Sequence, residues 1–278
     1  MAVNNSITQT NGKSLGNSIA AFLTRDVVQT QINNVVGGKN GQRFISAVVS
    51  AVNNNPALQE CTNQSIFSAA LLGEALNLSP SPQLGHYYMV PFNSSTGKVA
   101  QFQLGYKGYI QLALRSGQYR KLNVLAIKEG ELVRFDPLNE EIEVNLIEDE
   151  DERENAPTAG YYAMFEYTNG FRKAMYWSRA KMERHAMKYS KGYQAKKGYT
   201  FWEKDFDGMA YKTMLRQLIS KWGIMSIEMV TAMDSDMAVL NEDGTKTYVD
   251  NMDEPVVIDG AEEQPSDPAP DVIELEEF

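Results

Sequence analysis

Cysteine is almost missing from this chain of 278 residues: Cys61 stands alone, which excludes an intramolecular disulfide and any zinc site built on several cysteines. Histidine is nearly as scarce. His86 and His185 lie far apart, and neither is followed by a second histidine or cysteine at a ligand spacing, so no metal centre is expected on them. No apolar run is long enough to cross a bilayer, and the N-terminus is polar rather than basic and then apolar, so a cytoplasmic chain without a membrane partner is expected. The pattern Gly-x-x-x-x-Gly-Lys-Ser/Thr occurs nowhere, so no nucleoside triphosphate site of that kind is read.

Positive charge is also in deficit, with 26 Lys and Arg against 36 Asp and Glu and a net charge of −10. That total conceals an uneven distribution. Residues 1–225 hold 25 bases against 20 acids, whereas 226–278 hold one base against 16 acids. Within the first part, residues 98–135 carry seven bases against two acids and 171–221 carry thirteen against four. Between them, residues 136–154 carry ten acids and only Arg153. Two basic blocks beside an acidic tail admit an anionic partner that the overall sign would exclude.

The stretch 84–118 has the most pronounced pattern. Residues 84–92 and 98–104 are rich in aromatic and β-branched side chains and flank a polar, Gly-containing turn, the signature of a β-hairpin. After Gly105-Tyr106-Lys107-Gly108 the period changes to that of a helix, with Ile110, Leu112, Ala113 and Leu114 near one face and Gly117 to stop it. A turn of small residues at a helix start lets another backbone approach closely, and it adds a basic side chain where phosphate could bind. A plain strand-to-helix turn satisfies the same pattern.

Elsewhere, residues 1–16 are polar and aperiodic and should be disordered. Helices are expected over about 17–36, 42–53 and 64–76, then a Pro-rich link at 79–82. Strands are expected at 119–128 and 131–135, a solvated acidic loop at 136–158, and a hairpin at 159–167 and 171–177 around Asn169-Gly170. Ser178 caps a helix that bears Arg179, Lys181, Arg184 and Lys188, and a basic loop follows at 191–200. One helix is expected over 201–221, with Lys212, Arg216 and Lys221 near a common stripe. The fold class is therefore α+β: antiparallel hairpins and a short sheet packed with helices, in a core of 17–233 with a helical region at 17–78. An acidic tail of 234–278 follows, expected to be disordered. The adjacent acids of 148–152 could bind magnesium in a nuclease, but consecutive residues of one flexible run lack the fixed positions that metal-assisted hydrolysis demands.

Residues 85–92, then Gln101-Phe102-Gln103-Leu104-Gly105-Tyr106-Lys107-Gly108, then 112–118, resemble the core of the RecT family of phage and prophage recombinases. The resemblance resumes at 161–177, at Trp202-Glu203 and at 209–216. It implies annealing of complementary single DNA strands without ATP, by a protein that is not an enzyme and needs no cofactor, with magnesium able to affect annealing. It implies binding of single strands and of the annealed duplex, and assembly into a ring or helical filament, with 17–78 helping neighbouring protomers to associate. A phage exonuclease and the single-strand-binding protein of the bacterial host are further implied partners. Passive single-strand or RNA binding, and a metal-dependent nuclease, are the alternatives.

Backbone binding without sequence reading needs rows of Lys and Arg, with aromatics for stacking. The candidates are Lys98, Gln101, Gln103, Tyr106, Lys107, Arg115 and Lys128 from the first basic block, and Lys212, Thr213, Arg216 and Lys221 from the later helix. The helix opener Trp202 joins them. Tyr106 and Trp202 suit a core role better, since aromatics beside a hairpin or opening a helix are usually core, and Arg115 could instead hold its helix against the sheet through a carboxylate. Lys107 and Arg216 head the set.

Overall fold

The computed structural model describes residues 18–248, apart from 39, 95, 96, 199, 242 and 244. The disorder expected at 1–16, and the part of the acidic tail beyond 248, lie outside the described residues.

The N-terminal region holds four α-helices, α1 (Ile19–Leu23), α2 (Asp26–Val36), α3 (Gly41–Asn53) and α4 (Asn63–Ala75). The single helix expected over 17–36 breaks at Thr24 and Arg25. Thr24 Oγ1 bonds back to the Ala21 carbonyl at 3.0 Å, and Arg25 turns extended with its guanidinium 5.1 Å from the Phe22 ring. In an unbroken helix Val28 would stand about 140° round from Leu23; the break lets Phe22, Leu23, Val28 and Ile32 enter one core. In α3, Phe44, Ile45, Val48 and Val52 are buried as their spacing requires.

The hairpin of β1 (Tyr87–Ser94) and β2 (Gly97–Leu104) runs antiparallel from Tyr87 opposite Leu104 to Ser94 opposite Gly97. It leads into α5 (Tyr106–Arg115), and β3 (Tyr119–Lys128) follows. The strands β6 (Thr158–Tyr167) and β7 (Arg172–Ser178) form the hairpin expected around Asn169-Gly170. The two hairpins do not share a sheet: β3, β6 and β7 make one, whereas β1 and β2 continue into β8 (Ala238–Leu240) and β9 (Lys246–Tyr248).

The acidic stretch, expected as a loop, is folded. It contributes β5 (Glu141–Val144), which pairs with β4 (Leu132–Asp136), the strand expected at 131–135, and a short helix α6 (Glu150–Asn155). Glu131 explains the difference. Its buried carboxylate accepts from Arg153 Nε at 2.6 Å, from the Lys128 amide at 2.8 Å and from the Ile147 amide at 3.2 Å, tying both ends of the segment together. Burial alone would raise this carboxyl, but those donors outweigh it and hold it below the ordinary glutamate range. Asp149 caps α6, and Glu150, Asp151 and Glu152 fill its first turn, where the helix dipole favours negative charge.

The chain continues through α7 (Arg179–Tyr189), α8 (Lys191–Gln194), α9 (Phe201–Lys204), α10 (Phe206–Trp222) and α11 (Ile227–Asp234). The helix expected over 201–221 divides because Asp205 leaves the helical region and caps α10, accepting from the Gly208 amide at 2.9 Å. α10 lies across the β3-β6-β7 sheet with α5 alongside. The core also extends past 233, where the tail was expected to start: Ala238 pairs with Phe102, and the Met237 amide donates to the Phe102 carbonyl at 2.9 Å. Ala238 and Val239 are apolar and buried against β2, which is why these residues join the sheet although their surroundings in sequence are acidic.

Candidate nucleic-acid interface

The junction between β2 and α5 is built around close backbone approach. A Cβ added to Gly105 would stand 2.1 Å from the Gly85 carbonyl oxygen, and one added to Gly108 would stand 2.1 Å from that of His86. The Gly105 amide donates to the His86 carbonyl at 2.9 Å. The backbone that these glycines admit is therefore the chain's own. Lys107 projects outward from this packed turn. It is exposed and has no carboxylate partner among the described residues, with its Nζ 6.0 Å from the Tyr106 ring centre. Tyr106 is half-buried and meets Tyr211 of α10 edge-on at 5.6 Å, so the start of α5 is fixed against α10.

Further along α10, Lys212 and Arg216 converge on one carboxylate. Asp236, fully enclosed, accepts from Lys212 Nζ at 2.8 Å and from the Leu104 amide at 2.9 Å on one oxygen, and from Arg216 Nη1 at 3.3 Å on the other. Burial depresses the Lys212 ammonium below the ordinary lysine range, with Asp236 opposing. The Tyr109 hydroxyl also faces Asp236, is buried, and makes no ordinary hydrogen bond among the described residues. Burial first, and the Asp236 charge second, push this phenol well above its usual range. Lys212 is thus an interior ion, whereas the Arg216 side chain keeps 41 % of its surface exposed. Tyr109 of α5 and Arg216 of α10 meet the same carboxylate, so the helices carrying Lys107 and Arg216 are packed neighbours.

The remaining candidates divide by what already holds them. Gln101, Gln103, Thr213 and Trp202 are buried. Gln101 donates to the Met237 carbonyl and accepts from Gln103 at 2.8 Å, so the two amides secure β8 instead of facing solvent. Thr213 Oγ1 returns to the Met209 carbonyl at 2.9 Å, and Trp202 packs edge-on against Phe206 at 5.0 Å. Arg115 binds the Leu76 carbonyl at 2.9 Å, capping the end of α4 through a carbonyl rather than a carboxylate. Lys128 binds the Ala156 carbonyl at 2.9 Å, and Lys98 is paired with Glu60. Lys221 is exposed and free of carboxylates among the described residues, but it is not on one stripe with Lys212: nine positions along α10 put it about 180° round the helix.

Two functional features escaped the sequence. Asp236 lies in what reads as the start of an acidic tail, and no local signal marks it as the partner of two cations some twenty positions earlier in α10. The other is the exposed aromatic Phe201 (39 %), which meets Tyr88 of β1 at a ring distance of 6.0 Å and so brings α9 to the hairpin beside Gly85. Among the described residues, no group of three or more His, Cys, Asp and Glu side chains converges as a metal site would. No helix there is long and apolar enough to cross a membrane.

Comparison with known proteins agrees with the resemblance read from the hairpin and α10. The model of the RecT family matches residues 42–254, from α3 to just beyond β9. The chain is 42 % identical over 213 residues to the uncharacterized protein YqaK of Bacillus subtilis (strain 168), covering 77 % of this chain and 68 % of that one. It is 33 % identical over 200 residues to Protein RecT of Escherichia coli (strain K12), covering 70 % of this chain and 71 % of that protein. On a match of this extent, the chain belongs to the RecT family of single-strand annealing proteins in DNA recombination.

Proposed function

We propose that this protein anneals complementary DNA strands without ATP, and that it does so as an oligomer whose protomers each hold a short length of phosphate backbone. One observation carries the reading: an exposed lysine with no carboxylate partner among the described residues, Lys107, stands at the start of a helix that packs directly against the helix bearing the half-exposed Arg216. Annealing requires no bond to be made or broken. It requires that phosphate repulsion fall while the base edges stay free, and cations that touch only the backbone meet both conditions. Nothing in this scheme calls for a cofactor; magnesium acts by screening the phosphates.

A single protomer reaches only a few nucleotides, so register over a useful length demands a row of them. Residues 17–78 are the proposed association region. On α2, within that region, Val27 and Val35 stand 73 % and 45 % exposed and are open to contact with a neighbouring protomer. Partners that this role calls for are an exonuclease that exposes the strands and a single-strand-binding protein that coats them.

The test is annealing of labelled complementary oligonucleotides in the absence of ATP, followed by measurement of strand length. Lys107→Glu and Arg216→Glu should each slow annealing and lower the dependence of log affinity on log salt by about 0.7 for each phosphate no longer bound. Unchanged annealing in both variants refutes the site. Shortened strands would indicate a nuclease, and binding without annealing a passive module.

A further inference from the structure

Many cations in this protein are already neutralised. Lys98 pairs with Glu60, Arg120 and Lys121 with Glu166, Arg153 with Glu131, Lys173 with Glu140, and Lys246 with Asp234. α7 differs. Lys181, Arg184 and Lys188 recur at spacings of three and four, which puts them on one side of the helix. All three are exposed, and none has a carboxylate partner among the described residues. The one acid of α7, Glu183, is engaged by Arg179 at 3.1 Å.

The Lys181 ammonium is held below the ordinary lysine range by partial burial first and then by the charges of Lys221 and Arg184. Aromatic rings lie among the charges. Lys181 Nζ is 4.4 Å from the Trp177 ring, Lys188 Nζ is 5.1 Å from the Tyr189 ring, and Tyr189 is 64 % exposed. Like charges collected without counter-ions repel one another, and an anion of matching spacing relieves that repulsion.

We propose that the exposed side of α7, with Lys181, Arg184 and Lys188, is a binding surface for the phosphodiester backbone of single-stranded DNA, with Tyr189 as a stacking platform for a base. From Lys181 to Lys188 the helix rises about 10 Å, enough for about three phosphates at the roughly 3.4 Å spacing of a stacked strand. A backbone rather than an acidic peptide suits the surface because an exposed ring, Tyr189, lies beside the cations, as in sites that bind single strands. The inference rests on the single-strand binding proposed above and adds to it a surface that does not include Lys107.

The experiment is equilibrium binding of the full chain to labelled oligo-dT over a salt series. Lys181→Glu/Arg184→Glu should weaken binding at least tenfold near 0.1 M salt and reduce the salt slope by about 1.4, that is, about 0.7 for each of two phosphates. Tyr189→Ala should weaken binding severalfold with an unchanged slope, which a purely electrostatic or structural role would not produce. The neutral variant Lys181→Gln/Arg184→Gln, with an unchanged melting temperature, should reproduce the fall in slope and so exclude misfolding. Wild-type binding matched by the variants in affinity and slope overturns this surface while leaving the annealing reading intact. Absence of binding by the wild type overturns both. Variants that keep oligo-dT affinity but lose affinity for polyglutamate would make the surface a protein-docking site and also overturn the inference.

Discussion

Replacing Asp236 by asparagine removes one negative charge from beneath two positive ones, and the cost can be worked from the geometry. Lys212 is buried and its ammonium lies 2.8 Å from Asp236, so the substitution leaves an interior cation without a counter-charge. Removing one partner of such a pair costs about 3–5 kcal/mol. The Arg216 interaction, at 3.3 Å with 41 % of that side chain exposed, is screened by solvent and adds about 0–1 kcal/mol. The Leu104 amide keeps its acceptor if the asparagine oxygen takes the Oδ1 position. At about 2–4 °C per kcal/mol for a core of this size, the combined cost of about 3–6 kcal/mol means that Asp236→Asn should lower the melting temperature by about 6–24 °C. Lys212→Met keeps the volume and leaves Asp236 with Arg216 and the Leu104 amide, so it should cost less, and the double variant should recover part of the deficit. Thermal denaturation of the four proteins, with oligo-dT affinity measured for Lys212→Met, checks this. A melting temperature for Asp236→Asn within about 2 °C of wild type would refute the account. So would a Lys212→Met variant of normal stability that no longer binds the strand.

Two further outcomes follow from the same packing. Gly108→Ala places a methyl 2.1 Å from the His86 carbonyl oxygen, where only backbone could yield, and should destabilise by about 3 kcal/mol or more; a variant melting like wild type would show that the junction is looser than described. His86 and His185 are both held below the ordinary histidine range, by burial first and then by Arg115 and Lys107 for His86 and by Arg216 and Lys188 for His185. Because the unfolded chain then binds protons more readily than the folded one, the stability they contribute is complete above about pH 6.5 and is lost as pH falls through the depressed values. The melting temperature should drop between about pH 7 and pH 5, and His86→Gln/His185→Gln should flatten the profile; an equal drop in that variant would assign the effect elsewhere.

Much of the architecture is legible in the chain itself because it is set by local periodicity. The hairpin at 87–104, the Asn-Gly hairpin of β6 and β7, and the helices α3 and α7 fall where alternation, helical spacing and capping residues put them. The acidic stretch 136–158 and residues 238–248 depart from expectation for a common reason. Composition describes how a segment meets water, whereas Glu131 with Arg153, and β8 with Phe102, are stabilised by partners that composition does not register.

The same distinction governs the site. Sequence by itself determined the family, the two basic blocks and the presence of a lysine at a tight glycine junction, since these depend only on the order of residues. Tertiary structure alone decided which cations remain available to a phosphate. Lys98 is answered by Glu60, Lys212 by Asp236, and Arg115 and Lys128 by carbonyls, while Lys107, Lys221 and the row on α7 are left without such partners among the described residues. A charge is free or spent according to what lies within a few ångströms of it, and those neighbours come from parts of the chain brought together only by folding.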